Sequence, residues 1–381
     1  MDKSIIILGA SELQVPAIVA AKKNNIRSIV VDYDPDATGR YLADEFYEIS
    51  TLDYNSILEL AITKNVDGIM TLCSDRPMKV VAMVGERLGL NTISVETAIA
   101  ATSKAEMRKA LAAEEVPIPE FCIVDSENEF CNAIERFEIP FIVKPSDNSG
   151  SRGITLVDDK NHALEAYDYA KKNAMDGIVL VEEYMSGDEV SVEVFVDKEN
   201  IYIIQITDKL TTGAPHFVEM GHLQPSKLDE ASKNEICKVA RAAVKALKIN
   251  TGPAHVEIKF TDEGAKIVEI GSRLGGDFIT TDLVPLSTGI DMVEATLLDA
   301  LGEDVNLQKT KNRMSAIRYF SFDRYINFSN DVISNLERAY VNKMEKHEIE
   351  SSRDREGFFI VSGDSFEEIE EKIERVSNSI L

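Results

Sequence analysis

A chain of 381 residues is too long for one ordinary hydrophobic core and implies two or three domains. Its 44% hydrophobic and 28% charged content, with 20 Gly, 11 Pro and 4 Cys, excludes collagen-like, disordered and disulfide-scaffold classes. The 41 basic and 66 acidic residues leave a net charge of −25, which argues against a nucleic-acid partner, because such a grip needs a basic face for the phosphates.

The opening MDKSIIILGA is too short in apolar residues for a signal-peptide core, and no apolar run reaches the roughly 18–20 residues that cross a bilayer. A cytoplasmic protein with no membrane partner is expected. Cys73, Cys122, Cys131 and Cys237 form no CxxC pair and stand near no histidine at ligand spacing, so zinc and thioredoxin-like chemistry are not supported.

Ser4–Leu8 is a β-branched run of the kind buried on both sheet faces, followed by a helical pattern over Val15–Lys23. A second strand, Ile29–Asp32, ends at the turn-like Asp34-Pro35-Asp36. A helix over Tyr54–Lys64, a third strand, Gly68–Leu72, and a helix over Met78–Leu88 follow. This alternation predicts a parallel, doubly wound sheet over residues 1–100. Its first turn, Gly9-Ala10-Ser11-Glu12-Leu13-Gln14, keeps one of the three glycines of the dinucleotide fingerprint, so a dehydrogenase is not expected. Ser74-Asp75-Arg76 after the third strand suits a turn cap or a contact with substrate.

One helix is predicted over Thr97–Glu115, then a proline-rich hinge at Val116-Pro117-Ile118-Pro119. Pro140–Lys144 and Ile154–Val157 read as strands joined by the glycine-rich Ser149-Gly150-Ser151-Arg152-Gly153. Such a loop can fold over phosphates or simply turn a hairpin. Strands at Val179–Met185, Glu189–Val196 and Ile201–Thr207 precede a helix at Ser232–Leu247. A further helix covers Ile290–Leu301, and the tail from about Asn312 is mixed.

The most informative stretch is the alternating pair Ala254–Phe260 and Lys266–Ile270. A three-residue loop at Asp262-Glu263-Gly264 would set Thr261 opposite Ala265 and Glu257 opposite Glu269. Carboxylates about 5 Å apart across two strands repel unless a cation lies between them, and a hard, oxygen-seeking divalent ion suits that role. A solvated acidic face is the alternative. Gly271-Ser272-Arg273-Leu274-Gly275-Gly276 follows at once, adding a cation and bare backbone, as phosphoryl transfer requires.

In this order, Thr102–Arg108, Ile142–Pro145, Ser149–Gly153, Val181–Glu189, Glu257 and Glu269–Arg273 resemble the ATP-grasp superfamily over nearly the whole chain. The resemblance implies an α/β protein with an N-terminal doubly wound domain (1–100) and a two-part ATP-grasp unit (101–180 and 181–310). A small C-terminal α/β domain (311–381) would follow. It implies that Lys104 and Lys144 contact ATP phosphates, with Lys144 acting also in catalysis, and that Ser149, Gly150, Ser151 and Gly153 form the lid. Glu182, Glu183 and Met185 would hold adenine, largely through backbone, Glu189 the ribose, and Glu257 and Glu269 Mg2+, with Mn2+ as a substitute. Arg273 would stabilise the transferring phosphoryl group. One departure is Gly271, where the family often has a metal-binding Asn.

Pro215–Pro225 and Arg273–Asp277 are similar to the L-amino-acid ligase branch. By that resemblance His222 would lie near the acyl site, against the alternative of a histidine satisfied in a loop, and Gly275 and Gly276 would shape the substrate pocket. The implied reaction is amide-bond formation through an acyl phosphate, with small-molecule carboxylate and amine substrates, amino acids among them, and a homodimeric assembly. A bicarbonate-using carboxylase and a non-catalytic nucleotide sensor remain the other two readings.

Overall fold

The computed structural model describes residues 3–148, 150, 152–214, 216–320, 336–341, 349 and 351–380. At the N-terminus, β1 (Ser4–Leu8), α1 (Val15–Lys23), β2 (Arg27–Asp32), α2 (Tyr54–Lys64), β4 (Gly68–Met70) and α3 (Met78–Leu88) alternate as the sequence predicts, while β3 (Glu45–Glu48), between β2 and α2, is a strand the sequence reading did not include. The four strands are parallel, in the order β3-β2-β1-β4, with all of β1 buried. Such a strand must be apolar on both faces, which is why it reads as an unbroken run.

The single helix expected over 97–115 is two, α4 (Val95–Ala100) and α5 (Lys104–Ala113). Ser103 breaks it: its backbone is extended and its hydroxyl accepts the Glu106 amide, an N-cap that restarts the helix with Lys104 in the first turn.

A second unit holds β5 (Phe121–Val124), α6 (Glu127–Ile134), β6 (Phe141–Pro145), β7 (Thr155–Val157), α7 (Ala163–Asn173) and β8 (Val179–Glu183). Its antiparallel sheet runs β5-β8-β6-β7 and packs Phe141 and Val181 with Phe130 and Tyr167 of the two helices. The expected boundary at residue 180 therefore falls inside β8.

An eight-stranded antiparallel sheet follows. It is built from β9 (Asp188–Asp197), β10 (Asn200–Thr211), β11 (Glu219–Gln224), β12 (Gly252–Thr261), β13 (Gly264–Gly271), β14 (Met314–Phe320), β15 (Arg338–Val341) and β16 (Gly357–Gly363). Their order is β13-β12-β9-β10-β11-β14-β16-β15. Helix α8 (Glu230–Ala246) buries Ile236, Ala240 and Val244 in the core with Val256 and Ile267 of β12 and β13. Helices α9 (Val284–Thr288) and α10 (Met292–Ala300) follow β13, and α11 (Phe366–Ile380) closes the chain. Leu297 and Ala300 of α10 share a core with Ile5, Ile7 and Met70 of the parallel sheet, so the N-terminal unit is packed firmly onto the large one.

Because β14, β16 and β15 extend β11, residues 311–381 continue the large sheet rather than forming a sheet of their own among the described residues. A boundary at 310 is invisible to local pattern, since strand pairing is a non-local choice.

The carboxylate hairpin reaches the expected register by another route. Thr261 pairs with Gly264, so the loop is the two residues Asp262-Glu263. Ile258 then pairs with Ile267, but Glu257 pairs with Glu269, because Val268 is an extra residue in the ladder. The bulge shifts the pairing by one and places the two glutamates opposite each other.

Candidate active site

A deep cleft lies between the small and large sheets, and its inner end meets the N-terminal unit. One end is apolar, walled by Ile142, Ile154, Met185 and Val268. The middle is charged, with Lys104, Lys144, Glu189, Lys209, Glu257 and Glu269. The far end presents Glu219, His255, Arg273, Gly276 and Asp277.

The lysines are set by short-range rules. Lys144 sits near the end of β6, a strand too short and too buried to send that side chain anywhere but inward, and its ammonium is 2.7 Å from Glu182. Glu182 is 3% exposed and accepts from Arg108 Nε and Nη2 at 2.9 and 3.1 Å. Burial opposes a charged Glu182, yet Arg108 and then Lys144 hold its carboxyl at about 2. Burial also lowers the Lys144 pKa, and Glu182 counters that. The Glu182 side chain thus serves the two cations, which leaves backbone alone for any contact with a base. Glu183 donates its own backbone N–H to Glu120 O, and its carboxylate meets Lys266.

Lys104, delivered by the Ser103 cap, donates to the Asn148 carbonyl at 2.8 Å and to Glu269 at 2.9 Å. This ties helix α5 both to the start of the glycine-rich loop and to the expected metal strand. In that loop Gly150 has φ +67° with open space around it, whereas Gly153 has φ +81° and any Cβ there would lie 2.8 Å from Asn173 Cβ. Ser149 and Ser151 lie outside the described residues.

Lys209 was not foreseen. Its side chain is almost wholly buried in β10 and contacts Glu189 at 2.7 Å, Glu219 at 2.6 Å and Glu257 at 3.1 Å. Burial works against its charge, but the three carboxylates raise its pKa well above the ordinary value. Glu189 and Glu257 are held in turn below the carboxylate range, against burial, by Lys209. A signal existed: Gln205, Thr207 and Lys209 alternate as polar residues on the inward face of a strand.

Glu257 and Glu269 therefore each meet a lysine ammonium, Lys209 and Lys104 respectively. The two lysines relieve the repulsion that suggested a cation between the strands; the opposed carboxylates still offer the oxygen ligands that a hard divalent ion shares with phosphate.

His222 lies in β11, not in a loop, and is fully buried with neither ring nitrogen hydrogen-bonded. Its Nε2 stands 3.6 Å from Asp277 Oδ2 and 3.8 Å from Glu219 Oε2. Asp277 is clamped by Arg355 at 2.6 and 2.9 Å; burial opposes its charge, but His222 and Arg355 hold it well below the usual range. His255 is buried against Glu193 at 2.9 Å. That pair explains Gly275, where a Cβ would fall 2.6 Å from His255 Nδ1. Arg108, Glu219 and Asp277 all lay within the recognised motifs, but only the tertiary contacts give them partners.

Arg273 follows β13 and is clasped by Asp75 of the N-terminal unit, Nε to Oδ1 at 2.7 Å and Nη2 to Oδ2 at 3.1 Å. Burial and Arg273 act oppositely on Asp75, and its pKa ends below the ordinary value. The site thus combines an apolar slot, three lysines, opposed carboxylates and a fixed arginine, an arrangement that can hold a nucleoside triphosphate beside a second, acidic molecule.

The family described as ATP-grasp domain matches residues 137–282. Residues 137–282 thus carry an ATP-grasp domain. The uncharacterized protein y4rH of Sinorhizobium fredii is 26% identical over 357 residues, covering 89% of this chain and 72% of that protein. The formate-dependent phosphoribosylglycinamide formyltransferase of Francisella tularensis is 29% identical over 192 residues, 48% of each chain, so the match spans about half of that relative. Among solved structures, the L-amino acid ligase of Bacillus licheniformis superposes with a TM-score of 0.85 at 20% identity, covering 99% of this chain and 98% of that one. The biotin carboxylase domain of the Hydrogenobacter thermophilus 2-oxoglutarate carboxylase, solved with MgADP, ADP and bicarbonate, gives 0.78 at 18%, covering 100% and 89%. These likenesses establish the ATP-grasp fold along the chain. Among the described residues no helix is long and apolar enough to cross a membrane.

Proposed function

We propose that this enzyme is an ATP-dependent carboxylate–amine ligase that forms an amide or peptide bond and releases ADP and phosphate. The observation that carries the reading is the continuity of one cleft. The same cleft is lined by apolar Ile142, Ile154, Met185 and Val268, by Lys104, Lys144, Glu257, Glu269 and Arg273, and by Glu219 and Asp277 of the Glu219–His222–Asp277 cluster.

Adenine lies in the slot, with backbone at Glu183–Met185 along its edge and Glu189 at the ribose. Lys104 and Lys144 bind phosphate oxygens, and the loop around Gly150 closes over them. Glu257 and Glu269 would hold magnesium, which would supply neutralising charge to the phosphate oxygens; manganese, with the same oxygen preference, would substitute. The substrate carboxylate attacks the γ-phosphorus, forming an acyl phosphate as the bond to ADP breaks. Arg273 stabilises the charge on the transferring group. The amine then attacks the acyl carbon, phosphate leaves, and the lost amine proton passes to a group at the Glu219–His222–Asp277 end. Positioning and electrostatics carry both steps, since no protein nucleophile is needed. A closed lid matters because water would hydrolyse the acyl phosphate.

Amino acids fit the far end, where carboxylates of Glu219 and Asp277 face a cation-binding task and Arg273 an anion-binding one. A cytoplasmic setting follows from the need for ATP. The test is phosphate release from magnesium-ATP across amino acids, singly and in pairs, with mass spectrometry of the products. A new amide from one pair is the expected result. Turnover that depends on bicarbonate instead would replace the ligase by a carboxylase-type enzyme, and nucleotide binding without turnover across the panel would favour a sensor.

A further inference from the structure

Arg273 is not positioned by its own unit. Its guanidinium rests on Asp75, which stands 198 residues earlier in the loop after β4, through two bonds of 2.7 and 3.1 Å. Two more contacts join the same loops: Leu274 N–H donates to Leu72 O at 3.1 Å, and Cys73 Sγ donates to Gly275 O at 3.5 Å. The loop bearing Asp75 is itself braced by the buried Gln14, which accepts from Leu72 N–H at 2.9 Å and donates to Ser74 Oγ at 3.2 Å.

Gly271 belongs to the same arrangement. A Cβ built there would come within 3.2 Å of both Arg273 Nε and Asp75 Oδ1, and 3.3 Å of Arg273 Cζ. Its φ is not in the left-handed region, so the backbone does not demand glycine. The space beside the arginine–aspartate pair does. The Asn that the family often has at this position would crowd the pair, which would have to give by a few tenths of an ångström.

We propose that Asp75 is the positioning residue for Arg273, and that residue 271 is glycine so that this pair can form. The inference rests on the ligase reading for the task of Arg273, but not for the geometry. With Nε and one N–H of Nη2 on Asp75 and one N–H of Nη1 on the Leu274 carbonyl at 3.1 Å, one donor remains on each Nη. Those two donors are the ones available to a carboxylate or phosphoryl group. The N-terminal unit, which among the described residues contributes no other charged bond to this arginine, thereby decides where that group is met.

The experiment compares Asp75→Asn, Gly271→Ala, Arg273→Lys and the Asp75→Asn/Arg273→Lys double variant. ADP affinity, melting temperature and kcat for ATP- and carboxylate-dependent turnover are measured on each. Asp75→Asn and Gly271→Ala should each lower kcat by about 10- to 100-fold, as displacement of a reacting group by about 1 Å does. ADP affinity should stay within about twofold, and the double variant should be no worse than Arg273→Lys alone. A second readout needs no turnover. The Arg273 Nε–H resonance, assigned by its loss in Arg273→Lys, should be protected from solvent exchange in the native protein and lose that protection in Asp75→Asn. Native kcat in Asp75→Asn, additive losses in the double variant, or an unprotected resonance in the native protein would overturn the proposal. A protected resonance in a protein that turns over no substrate would instead sink the ligase reading and leave the Asp75–Arg273 assignment standing.

Discussion

Replacing Glu182 by Gln tests the centre of the site most sharply. Glu182 is buried and its carboxylate is shared by Arg108 at 2.9 and 3.1 Å and Lys144 at 2.7 Å. Glutamine keeps the shape and loses the charge, leaving two buried cations with no counterion. The depression of the Glu182 carboxyl from 4.5 to about 2 corresponds to about 3 kcal/mol of folding stability at neutral pH. An independent expectation for breaking a buried ion pair is about 3–5 kcal/mol. The sign follows from the direction: a carboxyl lowered in the folded state stabilises above pH 4.5, and that contribution is lost as pH falls toward 2. Urea unfolding at pH 7 should therefore place Glu182→Gln about 3 kcal/mol below the native protein, and the gap should narrow steadily below pH 4.5. ADP affinity should fall too, because burial already lowers the Lys144 pKa and Glu182 is what opposes it. A variant within about 0.5 kcal/mol of native at pH 7, the scatter of ordinary surface changes, would refute this account. So would a gap that widens in acid.

Other perturbations follow from the same contacts. Lys209→Met should leave Glu189, Glu219 and Glu257 facing one another and destabilise the fold by about 3–5 kcal/mol. Added magnesium should then raise its melting temperature more than that of the native protein, which a thermal-shift titration checks. Asp299 is driven the other way: burial raises its carboxyl from 3.8 to about 6, a cost of up to about 3 kcal/mol once it ionises. Native stability should decline from pH 4 to 7 on this account, and Asp299→Asn, keeping the Thr251 hydroxyl bond at 2.7 Å, should remove that part of the decline in urea titrations. Gly153→Ala meets both a φ of +81° and Asn173 Cβ at 2.8 Å, so it should cost at least about 1–2 kcal/mol. Gly150→Ala, at φ +67° in open space, should cost only the backbone share. Equal losses at the two glycines in parallel melts would show that the clash is relieved.

What could be read from the linear chain was whatever depends on neighbours in sequence. The buried run Ser4–Leu8, the helices Tyr54–Lys64 and Met78–Leu88, and the inward lysine at the end of β6 all announce themselves by period and by flanking turns. The opposition of Glu257 and Glu269 was also legible, although through a two-residue loop and a bulge at Val268 rather than a longer loop. The break at Ser103 is a local signal as well, a cap residue within a helical pattern.

Tertiary structure alone decided which charges meet. Arg108 finds Glu182 74 residues away, Lys104 finds Glu269 across 165, and Arg273 finds Asp75 across 198. Nothing in spacing distinguishes these partners from the many other acidic and basic residues of the chain, because each pair forms where two units happen to pack. The continuation of the large sheet through β14 and β16 was hidden for the same reason, since edge pairing depends on what the fold leaves open. Sequence determined the pieces and their order through local sterics and burial. Only folding determined the counterions, because a buried charge is stabilised by whatever the three-dimensional packing brings within about 3 Å.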